Sequence, residues 1–144
     1  MAAEPAFWDS SGLVLLVTHQ RATAAAMTIR RSRPRIVAWW GARVEVRSAL
    51  ARLRREGLLD AASVAQGTAK LDVLGRAVAE VAPTEHVRSR AERLLDAHDL
   101  RAADALQLAA ALEWSQDRTR GRVLVCFDAR LATAASVEGF TVRP

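Results

Sequence analysis

The chain has 144 residues and a mass of 15.7 kDa, with 51% hydrophobic and 26% charged residues, a balance that excludes intrinsic disorder. A chain of this length buries about two-thirds of the surface it would expose unfolded, so its core needs no disulfide or structural metal, and the lone Cys126 cannot close an internal disulfide. A net charge of +5 and a pI near 11.1 point either to a polyanionic or acidic partner or merely to an arginine-rich, alanine-rich composition.

The N-terminus lacks the basic flank and long apolar core of a secretory signal, and GLVLLV at 12–17 falls far short of the roughly 20 residues that span a bilayer. The expected location is the cytoplasm. Residues 5–9, PAFWD, read as a short buried strand ending at Asp9, and the two serines that follow offer caps for a helix beginning near Gly12. Helical pattern continues through LVLLV and restarts in RATAAAMTIRRS, where Pro34 forbids continuation. RIVAWW at 35–40 predicts a second strand, punctuated by Gly41. The helix from Ala42 to Gly57 carries Val46, Ala49, Leu50 and Leu53 on one face. Another helix is predicted from Ala61 to Val81, with Asp60 as its cap and with Gly67 and Gly75 as weak points. VAPTEHV is a connection with room for a very short strand, and Val87 to Ala97 gives a helix through Ala91, Leu94 and Leu95.

The central stretch, DLRAADALQLAAALEW from Asp99 to Trp114, reads as a helix apolar on every side except at Asp104 and Gln107. These two lie on one side of it, about one turn apart. A carboxylate in a first turn is favoured by the exposed N–H groups, yet a mostly buried one still needs a cation, hydrogen bonds or a proton. Gln107 either bonds to an acidic network or lines its entrance. Beyond Gly121, VLVCF at 123–127 has the continuous apolar character of a buried parallel strand, with Cys126 as a packed thiol and Asp128 immediately after it. ARLATAASVEGFTVRP closes the chain with a short helix, Gly139 and an edge strand. Helices separate each short strand from the next, which predicts crossover connections, a mainly parallel sheet and an α/β sandwich.

Asp9 and Asp128 each follow an apolar strand, and in an open parallel sheet both reach the crevice beyond the strands' carboxyl ends. Glu45 lies beside the apolar face of the helix after the second strand, and Asp104 begins the central helix. If these four converge they repel: one pair at about 4 Å is worth about 4 kcal/mol at an effective dielectric near 20. Something positive is then required, and oxygen ligands suit Mg²⁺ or Mn²⁺. Taken singly, each acid has a plainer role. Asp9 and Asp128 would start turns or cap helices, Glu45 would pair with neighbouring arginines, and Asp104 would cap its own helix or bond an arginine. No HxxxH, Walker, paired-cysteine or GxSxG pattern is present, and His19, His86 and His98 are scattered as surface or capping groups.

FWDSSGLVLLV resembles the opening of the PIN-domain family, whose first strand ends in DTS or DSS before an apolar helix. VEVRSALARL resembles its second acidic segment, LRAADALQLAAAL its third, and VLVCFDARLATAASVEGFTV its closing strand, acid, helix and strand. The likeness spans essentially the whole chain and is greatest to the VapC-like toxins of bacterial toxin–antitoxin pairs. It implies a single PIN-like nuclease domain over residues 1–144, a three-layer sandwich with a short, mainly parallel central sheet flanked by helices. It further implies a Mg²⁺- or Mn²⁺-dependent endoribonuclease that leaves a 5′-phosphate and a 3′-hydroxyl. The protein would be the toxin of a type II module, homodimeric and partnered by a small VapB-like antitoxin.

Carried over residue by residue, the family's acidic cluster falls on Asp9, Glu45, Asp104 and Asp128. Asp9 and Asp104 would hold the principal ion, Glu45 would bind it or orient the attacking water, and Asp128 would act through a second ion or a water. Ser10 resembles the small hydroxyl residue after the first acid and would steady a carboxylate or phosphate. Two departures stand out. Trp39 and Trp40 occupy a place where many relatives have serine or threonine, and Cys126 one where many have threonine. The tryptophans either pack in the core or a dimer interface, or one stacks on an RNA base. Arg43, Arg47 and Arg52, with Arg54 and Arg55, surround the Glu45 helix as RNA-phosphate contacts or as a solvated face, and Arg30, Arg31, Arg33 and Arg35 form a second basic run. The alternative function is a noncatalytic PIN-like RNA-binding or regulatory interaction protein.

Overall fold

The two apolar runs that lead into Asp9 and Asp128 lie side by side. In the computed structural model, which describes residues 2–144, β1 (Ala6–Trp8) pairs in parallel with β4 (Val123–Val125), Ala6 opposite Val123 and Trp8 opposite Val125. On its other edge β1 pairs with β2 (Ile36–Trp39), and β2 with β3 (Ala79–Val81); β5 (Thr141–Arg143) flanks β4. The result is one five-stranded, wholly parallel sheet in the order β3-β2-β1-β4-β5.

Parallel neighbours need crossovers, and helices supply them. α1 (Ser10–Val17) and α2 (Thr23–Ser32) join β1 to β2, and α3 (Ala42–Arg55) and α4 (Ala61–Gly75) join β2 to β3. α5 (Glu85–Ala97) and α6 (Ala102–Ser115) carry the chain back to β4, and α7 (Ala129–Val137) leads to β5. α1 packs on α2, α3 and α4, whereas α6 packs on α5 and α7, which gives a helical layer on each side of the sheet. This is the α/β sandwich expected from the alternation of short strands and helices, in the three layers that the family resemblance implies.

Phe7, Trp8, Val46, Leu50, Leu108, Leu124 and Leu131 are almost wholly buried and define the core. α6 is wrapped as its composition predicts: Ala105 and the run from Gln107 to Leu112 are buried against α5, α7, β2 and β3. Of the boundaries that differ from those the sequence predicts, two have a clear physical cause. α1 begins at Ser10, because the cap is Asp9 itself, whose side chain accepts from the Gly12 N–H. Gly12 then lies so close to the sheet that a Cβ there would stand 3.0 Å from the Trp8 ring. The helix predicted to reach Val81 stops at Gly75, and Ala79–Val81 is an edge strand instead. Ala79 and Glu80 are exposed, so this segment lacks the apolar signature of an inner strand; pairing with β2 decides its conformation.

α3 ends where Gly57 turns the chain with φ +75°, and a Cβ there would meet nothing within 4 Å. Gly57→Ala therefore isolates backbone strain from packing. It is expected to cost about 1 kcal/mol and to lower the melting temperature by about 3 °C in a calorimetric scan. No helix among the described residues is long and apolar enough to cross a membrane.

Candidate active site

Strand order reverses between β1 and β4. The helix that leaves β1 joins the α3–α4 layer and the helix that leaves β4 joins the α6 layer, so a crevice opens at the carboxyl ends of these two inner strands. It is an open cleft of about 790 Å³, and Asp9, Glu45, Asp104 and Asp128 all line it.

Asp9 is 3% exposed. Its Oδ1 accepts from the Gly12 N–H at 3.0 Å and the Ser11 hydroxyl at 2.7 Å, and its Oδ2 accepts from the Cys126 thiol at 3.4 Å. Burial nonetheless raises its carboxyl from 3.8 to about 6, with the Asp128 charge adding to the rise and the three hydrogen bonds opposing it. Glu45, in the first turn of α3, accepts from Ser10 Oγ at 3.2 Å and Gln107 Nε2 at 3.0 Å. Burial, then the charges of Asp9 and Asp104, push it from 4.5 to about 7 against these two bonds.

Asp104 is half-buried in the first turn of α6, and burial followed by the Asp128 charge raises its carboxyl; the Arg101 backbone and the Arg101 and Arg130 charges oppose the rise. Asp128 is exposed and caps α7, its Oδ1 accepting from the Leu131 N–H at 2.9 Å. The plainer capping roles of Asp9 and Asp128 are thus realised at the same time as their convergence on the cleft.

Cys126 is a packed thiol, as its apolar surroundings predict. Burial and the adjacent Asp9 charge hold it strongly protonated, so it donates to Asp9 while its sulfur accepts from the Asp128 N–H at 3.3 Å. Ser10 steadies a carboxylate, that of Glu45. Ser11, which the sequence offered only as a cap, joins the ends of the two central strands: it donates to Asp9 and accepts from the Phe127 N–H at 2.8 Å.

The arginines divide according to helix rotation. Arg52 lies on the Glu45 side of α3 and lines the cleft, together with Ser48 and Ala49. Arg43 and Arg47 are roughly half a turn away from Glu45 around the helix. Arg43 bonds Asp72 at 2.8 Å, and Arg47 lines a separate groove with Arg54 and Arg55. Arg101 and Arg130 complete the cleft's basic rim. Nothing in the sequence around them marks them as site residues, although one immediately precedes the Asp104 helix and the other follows Asp128 by two residues. Neither tryptophan lines the cleft: Trp39 is 7% exposed and packs in the core, and Trp40 is 56% exposed. His86 and His98 pair with Glu113 and Glu138, both at 2.7 Å and outside the cleft.

Among the described residues, no three Asp, Glu, His or Cys side chains are gathered closely enough to hold an ion as they stand. Asp9 and Asp128 turn oxygens toward helix N-termini, and mutual repulsion works against closer approach. The arrangement is an acidic cleft, not a closed cage.

No protein-family model matches the chain. Two Mycobacterium tuberculosis proteins, ribonuclease VapC45 of strain CDC 1551 / Oshkosh and ribonuclease VapC49 of strain H37Rv, are each 31% identical to it over 138 residues, covering 96% of this chain and 94% of the relative. The crystal structure of M. tuberculosis VapC20, a sarcin-ricin loop cleaving toxin, matches with a TM-score of 0.66 and 21% identity over 96% of this chain and 98% of that one, a likeness of fold. With near-complete alignment to these ribonucleases and the same sandwich underneath, the chain belongs to the VapC-like family of PIN-domain ribonuclease toxins.

Proposed function

We propose that the chain is a Mg²⁺- or Mn²⁺-dependent endoribonuclease that hydrolyses RNA phosphodiester bonds and serves as the toxin of a type II toxin–antitoxin module. The observation that carries this reading is the meeting of Asp9, Glu45, Asp104 and Asp128, from four separate parts of the chain, in one cleft at the sheet's switch point. Their chemistry fits a hard, hydrated cation. All four are oxygen donors, the cleft is open, and Mg²⁺ keeps several waters while using only one or two carboxylates. Raised carboxyls on Asp9 and Glu45 express the same need for positive charge.

When bound, the cation would polarise the phosphodiester and the attacking water and neutralise charge on the leaving oxygen. The chain's own residues do the positioning. Ser11, Gly12 and Cys126 hold Asp9, while Ser10 and Gln107 hold Glu45. Arg52, Arg101 and Arg130 ring the acidic floor and suit the phosphates that flank a scissile bond. An open cleft suits single-stranded or loop RNA, whose bases can splay away from the backbone. Family membership supports a small VapB-like antitoxin, a homodimer and a cytoplasmic site of action for this single domain.

The test is cleavage of a panel of structured RNAs, with ribosomal loops included, in Mg²⁺, Mn²⁺ or chelator, beside Asp9→Asn. Asparagine still caps α1 but carries no charge. Cleavage that needs the metal and falls about 100-fold or more in the variant is expected. Equal cleavage by both proteins, or undiminished cleavage in chelator, would remove the acidic cleft from the chemistry. RNA binding without scission across the panel would favour the noncatalytic alternative.

A further inference from the structure

A glutamine sealed inside an apolar helix is destabilising unless both ends of its amide are bonded. Gln107 is 1% exposed, flanked along α6 by the buried Ala105, Leu108 and Ala109. Only one end of it is bonded: Nε2 donates to Glu45 Oε2 at 3.0 Å, and Oε1 has no hydrogen-bond partner. An aliphatic side chain of similar length would fill the same space without the orphaned oxygen. Packing therefore gives no reason for the amide, and the reason lies in what Nε2 holds.

Glu45 is carried by α3, in the helical layer opposite α6. Its carboxylate is gripped from both layers, by Ser10 on α1 through Oε1 and by Gln107 on α6 through Oε2. Both donors are neutral. They fix the rotamer without cancelling the charge, whereas an arginine at either place would compete with a cation for the same oxygens. Asp104 lies one turn earlier on the same side of α6, so one stripe of that helix offers both an acid and a clamp for another acid.

Resting on the reading of Glu45 as part of the cation-holding set, we propose that Gln107 is a positioning residue that acts through Glu45, orienting its carboxylate toward the cleft without touching the ion or the RNA. The orphaned oxygen is tolerated for the sake of what Nε2 holds.

The experiment is Mn²⁺ titration of the metal-free protein by calorimetry, alongside thermal melting, for wild type, Gln107→Met, Gln107→Leu, Glu45→Gln and the Glu45→Gln/Gln107→Met double variant. Both Gln107 variants are expected to bind Mn²⁺ about 10-fold more weakly, the lower end of losses seen when groups behind metal ligands are removed. Their melting temperatures in chelator should stay within about 3 °C of wild type, because the lost bond to Glu45 and the removal of the orphaned oxygen act in opposite directions. In the Glu45→Gln background, Gln107→Met should have no further effect on Mn²⁺ affinity. Wild-type affinity in both Gln107 variants, with Glu45→Gln weakened, overturns the positioning role alone. Wild-type affinity in Glu45→Gln overturns the metal role of Glu45 and this proposal with it. An undiminished Gln107→Met effect in the double variant overturns the route through Glu45.

Discussion

Asp104→Asn is expected to lower RNA cleavage by about 10²–10³-fold while the protein melts at the same temperature as wild type or higher. The two effects have separate causes. Asp104 stands in the first turn of α6, half-buried, with its carboxyl raised by burial and by the Asp128 charge. A raised carboxyl means that ionisation at neutral pH works against the folded state, and an amide of the same shape removes that burden. The opposing loss, a negative charge near a helix N-terminus, is worth about 0.3–1 kcal/mol. Stability therefore stays level or improves, whereas the cleft loses one of its anionic oxygens. Initial rates at saturating Mn²⁺, taken with a melt of the metal-free protein in chelator, separate the contributions. A fall in rate matched by a fall in melting temperature would assign Asp104 to the fold, and an unchanged rate would take it out of the site.

The second large effect concerns pH. Asp9 and Glu45 rise from 3.8 and 4.5 to about 6 and about 7, so between about pH 4 and pH 7 the folded protein keeps protons that the unfolded chain has released. Stability must fall as pH rises through that window: it is greatest below the unfolded values and lowest above the folded ones. For buried Asp9 the change is of the order of 3 kcal/mol, and for half-buried Glu45 it is smaller because solvent screens it. In chelator, the melting temperature should therefore drop by about 10 °C between pH 4.5 and pH 8. Millimolar Mn²⁺ should restore more of it at pH 8 than at pH 5, since the cation binds the ionised carboxylates. Differential scanning calorimetry across this range reads both effects, and a melting temperature that climbs through the window in chelator would contradict the buried, mutually repelling acids.

Three of the four acids are legible because each carries a local mark, whereas Glu45, on an amphipathic helix among arginines, has none. Asp9 and Asp128 follow unbroken apolar runs, and Asp104 interrupts a helix that is otherwise apolar. The parallel sheet follows from helices between short strands, but the sequence of β3 looks like the tail of a helix because Ala79 and Glu80 face solvent and only the pairing with β2 makes them a strand. Rotation around α3 was there to be read: at 100° per residue, Arg52 returns to the Glu45 side and Arg43 and Arg47 do not. Contacts made across the fold left no such mark. Arg101 and Arg130 meet in the cleft only because α6 and α7 start beside each other at the carboxyl edge of the sheet, and the Gln107–Glu45 bond joins opposite helical layers.

The interior place of β4 bears on when the cleft can exist during synthesis. Everything up to the end of α5 contains Asp9 and Glu45 but neither Asp104 nor Asp128, and until β4 arrives β1 has β2 as its sole strand neighbour. Such long-range parallel pairing forms late, after the intervening chain has been ordered. A polypeptide still threaded through the ribosome thus carries half of the acids around an unfinished sheet, and the acidic cleft is completed only after β4 and Asp128 have been made.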